Sequence, residues 1–134
     1  MDEARFRLLI VDDVADNRNI LRRRFQPQGF DVVEAETGEQ ALAIIDQGGI
    51  DLVLLDINMP DMDGVEVLFQ IRETKPASQL PVIMVTGSTQ IADVLRARKH
   101  GANDYVMKPV DFGVALSRVR AQLSGKRRSA IVSV

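Results

Sequence analysis

Five short apolar runs alternate along the 134-residue chain with five stretches in which apolar residues recur at helical spacing. The third run is apolar from Leu52 to Leu55, as expected of a strand that is covered on both faces. This alternation predicts an α/β domain with a parallel sheet and right-handed crossovers. The predicted strands are Arg7–Val11, Phe30–Ala35, Asp51–Asp56, Pro81–Thr86 and Asp104–Met107, and the predicted helices are Asp16–Gln26, Thr89–His100 and Asp111–Leu123, with two more opening at Thr37 and near Val65.

Composition and charge narrow the class of protein. Hydrophobic residues make up 46% of the chain and charged residues 27%, which is ordinary for one globular domain. The net charge of −2 provides no field that would attract nucleic acid or an anionic membrane, so we expect neither as a direct partner. The chain has no cysteine, no secretory signal and no apolar run of bilayer length, and we therefore expect a soluble cytoplasmic domain.

Polar side chains stand at the ends of four predicted strands. Asp12 and Asp13 follow the first strand, Asp56 ends the third, Thr86 ends the fourth and Lys108 follows the fifth. The carboxyl ends of parallel strands share one edge of the sheet, where open α/β folds build their ligand sites. Three neighbouring carboxylates repel unless a cation neutralises them, and oxygen ligands alone suit Mg²⁺, with Mn²⁺ as the alternative. The pattern predicts a metal-assisted phosphoryl site.

Each of these residues also has a simpler interpretation. Asp12 and Asp13 could simply cap the helix that follows, and Asp56 could likewise cap a helix or bind a neighbouring backbone N–H. Thr86 is an ordinary β-branched strand residue, and Lys108 is an ordinary surface lysine before a turn proline. Four such coincidences at one edge of a sheet are improbable together, so the pattern favours a site.

The strand-end set, together with the loop from Asp56 to Gly64, resembles the receiver domain of two-component response regulators. The resemblance runs from about residue 5 to residue 123. It implies a flavodoxin-like (βα)5 doubly wound parallel sheet with strand order 2-1-3-4-5. It also implies a phosphorylation-activated signalling switch, a phosphoacceptor domain that assists its own phosphorylation and dephosphorylation and is not otherwise an enzyme.

The resemblance assigns a role to each site residue. Asp56 is expected to accept a phosphoryl group from the phosphohistidine of a histidine kinase or a histidine phosphotransfer protein. Lys108 is expected to pair with Asp56 at rest and with the phosphoryl group afterwards. Asp13, Asp56 and the backbone carbonyl of Asn58 are expected to hold Mg²⁺, with Asp12 acting through water.

Signal output is expected to begin at Thr86, whose hydroxyl would bind the phosphoryl group. Tyr105 would then move inward and relay the change to the surface formed by helix four, strand five and helix five. The resemblance also implies a cis Lys108–Pro109 bond and allows a phosphorylation-dependent homodimer. We expect residues 5–124 to be the receiver domain, and residues 125–134 to be a tail or the start of a linker to an output domain; the output would otherwise reside in a separate partner.

Two other functions are compatible with parts of the pattern. A phosphatase of the haloacid-dehalogenase type also uses a strand-end aspartate and Mg²⁺, but it needs a second aspartate two residues on, where this chain has Asn58. A nucleotide-binding module would need a glycine-rich or Walker loop after a strand, and none is present.

Overall fold

The structure, a computed structural model, describes residues 5–60, 63–87 and 91–126. Strands and helices alternate throughout these ranges, and a 3₁₀ turn over Gln26–Gln28 follows the first helix. The strands are β1 (Arg7–Val11), β2 (Asp31–Ala35), β3 (Leu52–Asp56), β4 (Val82–Thr86) and β5 (Asp104–Met107). The helices are α1 (Ala15–Phe25), α2 (Gly38–Asp46), α3 (Gly64–Arg72), α4 (Ile91–Lys99) and α5 (Phe112–Leu123).

The five strands form one parallel sheet in the order β2-β1-β3-β4-β5. This order confirms the predicted flavodoxin-like architecture. The chain winds outward in one direction from β1 to β2 and in the other from β3 to β5, so the strand order reverses between β1 and β3. Open α/β sheets place their ligand crevice at the carboxyl end of such a reversal.

The central strand β3 is buried at every position, and its side chains alternate between two cores. Leu52 and Leu54 face a cluster that α1 and α5 cover, with Phe25 fully buried at its centre. Val53 and Leu55 face a second cluster that α2, α3 and α4 cover. Continuous apolar strands are therefore stable here because helices exclude water from both faces of the sheet.

Several element ends differ slightly from the sequence prediction. The helix α1 begins at Ala15, one residue before the predicted start, and ends at Phe25, where a 3₁₀ turn over Gln26–Gln28 takes over; the sequence predicts a helix up to Gln26 and no such turn. The second helix opens at Thr37 as predicted, and the Thr37 hydroxyl caps it by accepting the Gln40 N–H at 3.0 Å. The Gln40 side chain in turn accepts the N–H of Glu36 at 2.7 Å. The predicted start of the fourth helix at Thr89 lies outside the described residues.

None of the helices within the described ranges is both long and apolar enough to span a bilayer.

Candidate functional site

Four strands deliver polar side chains to the carboxyl edge of the sheet. Asp56 is the last residue of β3, and it lies beside Val85 on the neighbouring strand β4. Thr86 ends β4, and Lys108 directly follows β5. Asp12 directly follows β1. Because the register brings these strand ends level, residues that are distant in the sequence meet at one crevice, as predicted.

The three acids of the predicted cluster do come together. Oxygen atoms of Asp12, Asp13 and Asp56 all lie within 4.8 Å of one another. The side chains of Asp12 and Asp56 are almost completely buried, with 4% and 2% of their residue surfaces exposed. Buried carboxylates at this separation repel, and a divalent cation is the group that offsets such repulsion. An all-oxygen donor set of this kind fits Mg²⁺.

The Asp56 carboxylate has two further partners. The Lys108 ammonium donates to Oδ1 of Asp56 at 3.0 Å, and the Asn58 backbone N–H donates to the same oxygen at 3.2 Å. Burial nevertheless raises the pKa of Asp56, and the charge of Asp12 raises it further, while Lys108 and Asn58 lower it. Desolvation is the largest of these effects. The carboxylate is therefore poorly stabilised as an anion in the absence of a second cation.

The capping interpretation of Asp12 and Asp13 does not hold for the start of α1. Val14 occupies the N-cap position of α1, and no side chain caps that helix end. Asp12 accepts the Val14 N–H at 2.9 Å, which closes a turn before the helix. Asp13 accepts no hydrogen bond from any residue in the described parts of the chain. Its carboxylate is thus available to a ligand.

The loop between β3 and α3 is held close to the acceptor by Gly64. A Cβ atom at this position would lie 2.2 Å from the backbone carbonyl oxygen of Asp56, which no side chain can occupy. The Gly64 N–H donates to the Ile57 carbonyl at 2.8 Å, and Asp63 caps α3 through the Val65 N–H. Glycine is therefore required here for close approach of backbone to backbone.

Thr86 and Tyr105, the predicted switch pair, lie on adjacent strands. Thr86 is fully buried, and its hydroxyl donates to the Gly87 carbonyl at 3.2 Å. Tyr105 is partly buried against the core cluster that includes α4, and the Arg118 guanidinium lies 5.8 Å from the centre of its ring. The Lys108–Pro109 bond is cis, as the resemblance implies.

Two features beside the site were not identified from the sequence. Arg18 of α1 reaches back to the Asp12 backbone carbonyl at 2.7 Å. A cleft of about 310 Å³ also opens next to the acids, between α1 and the segment that follows β5. Its lining includes Asp12 and Lys108 from the site, and Ile20, Leu21 and Phe112 from the flanking helices. No pattern in the sequence distinguishes Arg18 from the other helix arginines, because its contact with the Asp12 carbonyl forms only in the folded chain.

Comparison with known proteins agrees with this geometry. The family model described as the response regulator receiver domain matches residues 8–120. The chain is 38% identical over 123 residues to the DNA-binding response regulator MtrA of Mycobacterium tuberculosis, covering 92% of this chain and 53% of MtrA. It is 41% identical over 125 residues to a probable cyclic di-GMP phosphodiesterase of Vibrio cholerae, covering 93% of this chain and 28% of that protein.

Among solved structures, the chain is similar to a CheY-like response regulator receiver domain protein from Methanospirillum hungatei JF-1, with a TM-score of 0.86 and 30% identity. That match covers 95% of this chain and all of the solved one. The chain spans about half or less of the length of the two curated relatives named above. None of these similarities supports the phosphatase alternative. The fold, the strand-end residues and the family match together identify this chain as a member of the response regulator receiver family of two-component systems.

Proposed function

We propose that the chain accepts a phosphoryl group on Asp56 from the phosphohistidine of a histidine kinase or a histidine phosphotransfer protein. An Asp56 carboxylate oxygen would form a bond to phosphorus while the bond between phosphorus and the imidazole nitrogen breaks, and the electron pair of that bond returns to the imidazole. The observation that carries this proposal is the buried Asp56 carboxylate, 3.0 Å from the Lys108 ammonium and within 4.8 Å of two further acids.

The surroundings of Asp56 are suited to this chemistry. Phosphoryl transfer depends mainly on positioning and on the stabilisation of charge. Lys108 is a point charge that can move from the carboxylate to a phosphoryl oxygen. Asp12, Asp13, Asp56 and the Asn58 carbonyl would hold Mg²⁺, or Mn²⁺, which supplies charge neutralisation when bound. The same groups would assist attack of water on the acyl phosphate, so the domain would promote its own dephosphorylation.

Labelling with a small phosphodonor tests the proposal. Incubation with acetyl phosphate and Mg²⁺ should add one phosphoryl mass to the wild type and none to Asp56→Asn. Asp51→Asn is the matched control, because Asp51 is also buried and precedes the same strand, where it accepts the Arg7 N–H at 2.7 Å. Undiminished labelling of Asp56→Asn, or loss of labelling in Asp51→Asn alone, would contradict the assignment.

We further propose that the phosphorylated state is read through Thr86 and Tyr105. Movement of the buried Thr86 hydroxyl toward the phosphoryl group would break its bond to the Gly87 carbonyl and open space for the Tyr105 ring. The change is a shift between two packings, and a differential affinity of a few kcal/mol suffices to drive it. Amide shifts in α4 and β5 with and without beryllofluoride, a phosphoryl mimic, provide the measurement. Thr86→Ala should still accept phosphate but lose this response; a full response in the variant would exclude the route.

Two surfaces are available to protein partners. The cleft beside α1, with Ile20 56% exposed at its rim, would receive the phosphodonor protein.

The surface of α4, β5 and α5 would serve as the output surface and, in the phosphorylated state, as a homodimer interface. Its exposed apolar side chains are Ile91, Leu95, Met107 and Val114. Sedimentation measures whether beryllofluoride raises the mass of the wild type to that of a dimer, and Leu95→Glu should prevent this change. An unchanged mass of the wild type would contradict the proposed dimer.

The extent of the phosphoacceptor unit and its output are also proposals. We propose that residues 5–124 form this unit, because Leu123, the last residue of α5, is still buried in the core. Residues 125–134 would then lead to an output domain or remain a tail. The names of the two curated relatives refer to DNA binding and to cyclic di-GMP hydrolysis, so relatives of this chain differ in output. Limited proteolysis that leaves a stable fragment ending well before residue 123 would contradict the boundary.

A further inference from the structure

Arg18 makes a contact that no role assigned above explains. It lies in the first turn of α1, and only 13% of its side chain is exposed. One guanidinium nitrogen, Nη1, donates to the backbone carbonyl of Asp12 at 2.7 Å. Another, Nε, donates to Oε1 of Glu34 on β2 at 3.1 Å. The rigid fork of the guanidinium thus joins α1, β2 and the segment that carries the acids.

The contacted carbonyl belongs to the peptide plane that joins Asp12 to Asp13. This plane has no internal rotation, so fixing the carbonyl restricts the backbone of both residues. Two further bonds hold Asp12: its N–H donates to the Ala35 carbonyl at 3.1 Å, and its Oδ1 accepts the Val14 N–H at 2.9 Å. Arg18 supplies the third restraint, at the Asp12 carbonyl.

Glu34 in turn orients the guanidinium. Its Oε1 accepts from Arg18, while its Oε2 lies 2.8 Å from Nε of Arg22, one turn further along α1. Both arginines therefore pair with one carboxylate, but among the contacts in the described residues only Arg18 also reaches Asp12. Arg22 is consequently a natural control for the charge and for the salt bridge.

We propose that Arg18 is a positioning residue for the acid cluster: by binding the Asp12 carbonyl it holds the carboxylates of Asp12 and Asp13 where a divalent cation can be bound. This inference rests on the proposed function, since it concerns the cation of the same site. Groups that orient metal ligands from behind commonly change metal affinity about 10–100-fold when removed.

The proposal predicts an effect opposite in sign to that of simple electrostatics. A guanidinium near a cation site repels the cation, so charge alone predicts that loss of Arg18 tightens Mg²⁺ binding. Loss of positioning predicts weaker binding. Calorimetric titration of wild type, Arg18→Ala, Arg18→Lys and Arg22→Ala with Mg²⁺ at fixed ionic strength separates the two. The folded state of each variant is checked by circular dichroism.

We expect Arg18→Ala to weaken Mg²⁺ binding about tenfold. Arg18→Lys should also weaken it, because an ammonium keeps the charge but lacks the planar fork that serves both acceptors. Arg22→Ala should bind Mg²⁺ like the wild type. At saturating Mg²⁺, labelling of Asp56 by acetyl phosphate should recover in the Arg18 variants, because the defect lies in cation binding.

Equal or tighter Mg²⁺ binding by Arg18→Ala, with binding intact in the wild type, would overturn the inference. If Arg18→Ala does not fold, Arg18→Lys decides in the same way. Equal weakening in Arg22→Ala would overturn it as well, because the effect would then belong to the salt bridge. Absence of Mg²⁺ binding in the wild type would instead contradict the proposed function.

Discussion

The two edges of the sheet bury charge in different ways. At the carboxyl edge, Asp12 and Asp56 are buried close together, and burial raises the pKa of Asp56. Its cationic partner, Lys108, keeps 33% of its side chain exposed. This edge holds more buried negative charge than its own cation offsets.

At the amino edge, the partly buried charge of Arg72 is matched by acceptors. Its guanidinium donates to the carbonyls of Gly101, Lys75 and Leu80 and to the Asn103 side chain, all at 2.9–3.0 Å. Burial lowers the pKa of Arg72, but these four bonds satisfy the cation without a carboxylate. The amino edge thus stabilises the fold, while the carboxyl edge retains unmet charge for a ligand.

The largest effect that we expect from this comparison concerns the amino edge. Arg72→Met should lower the free energy of unfolding by about 3 kcal/mol, because four partly buried acceptors each lose a hydrogen bond. Mg²⁺ affinity should not change. Urea unfolding and Mg²⁺ titration measure the two quantities. Arg23→Met, at an exposed position of α1, is the control and should change stability by less than about 0.5 kcal/mol. Loss of Mg²⁺ binding in Arg72→Met would show that the two edges of the sheet do not act independently.

A smaller, opposite pattern should follow from Asp13→Ala at the carboxyl edge. Mg²⁺ affinity should fall at least tenfold, about 1.4 kcal/mol, because one of three carboxylates is lost. Stability without Mg²⁺ should stay the same or rise, since repulsion with Asp12 and Asp56 is relieved. Calorimetry and thermal unfolding of the metal-free protein report these changes. Destabilisation with unchanged Mg²⁺ affinity would return Asp13 to a structural role.

The smallest effect concerns the pH dependence of stability that arises from Asp56. Its native pKa is raised above the unfolded value of 3.8, so between these two values the native state binds more protons than the unfolded state. Stability of the metal-free wild type therefore falls as the pH rises through this window. Asp56→Asn lacks the penalty and should be more stable than the wild type at pH 7, with the difference vanishing below pH 3.8. Thermal unfolding across this range checks the sign, and a less stable variant at pH 7 would contradict it.

Much of the fold could be predicted because the periodic apolar pattern is local. The run Leu52 to Leu55 indicates a strand buried on both faces, and β3 is one. The strand ends also follow from the sequence, since Asp56 and Thr86 interrupt apolar runs. Parallel pairing then brings these strand ends to one edge of the sheet. The acid cluster could therefore be predicted without knowing any side-chain contact.

The supporting contacts could not be predicted in this way. Arg18 and Arg72 occupy helix positions where an arginine usually remains in solvent, and long side chains find their partners only after the chain is packed. The acceptors of Arg72 are mainly backbone carbonyls, which carry no sequence signal. The 3₁₀ turn at Gln26 was similarly hidden, because Pro27 marks the end of a helix without specifying its geometry.

The contact between Gly64 and the Asp56 carbonyl has a mechanical consequence. With backbone against backbone, α3 has no compressible side chain between its first turn and the acceptor strand. If the Thr86 side of the site moves as proposed above, α3 would serve as the fixed reference for that movement. Anyone transplanting a new output onto this scaffold should leave the start of α3 untouched and vary α4 and the end of β4, where the Thr86 hydroxyl makes a side-chain hydrogen bond that can be exchanged. A saturation library at position 64 would test this contact directly. We expect only glycine to be tolerated there, because any Cβ atom would clash with the Asp56 carbonyl.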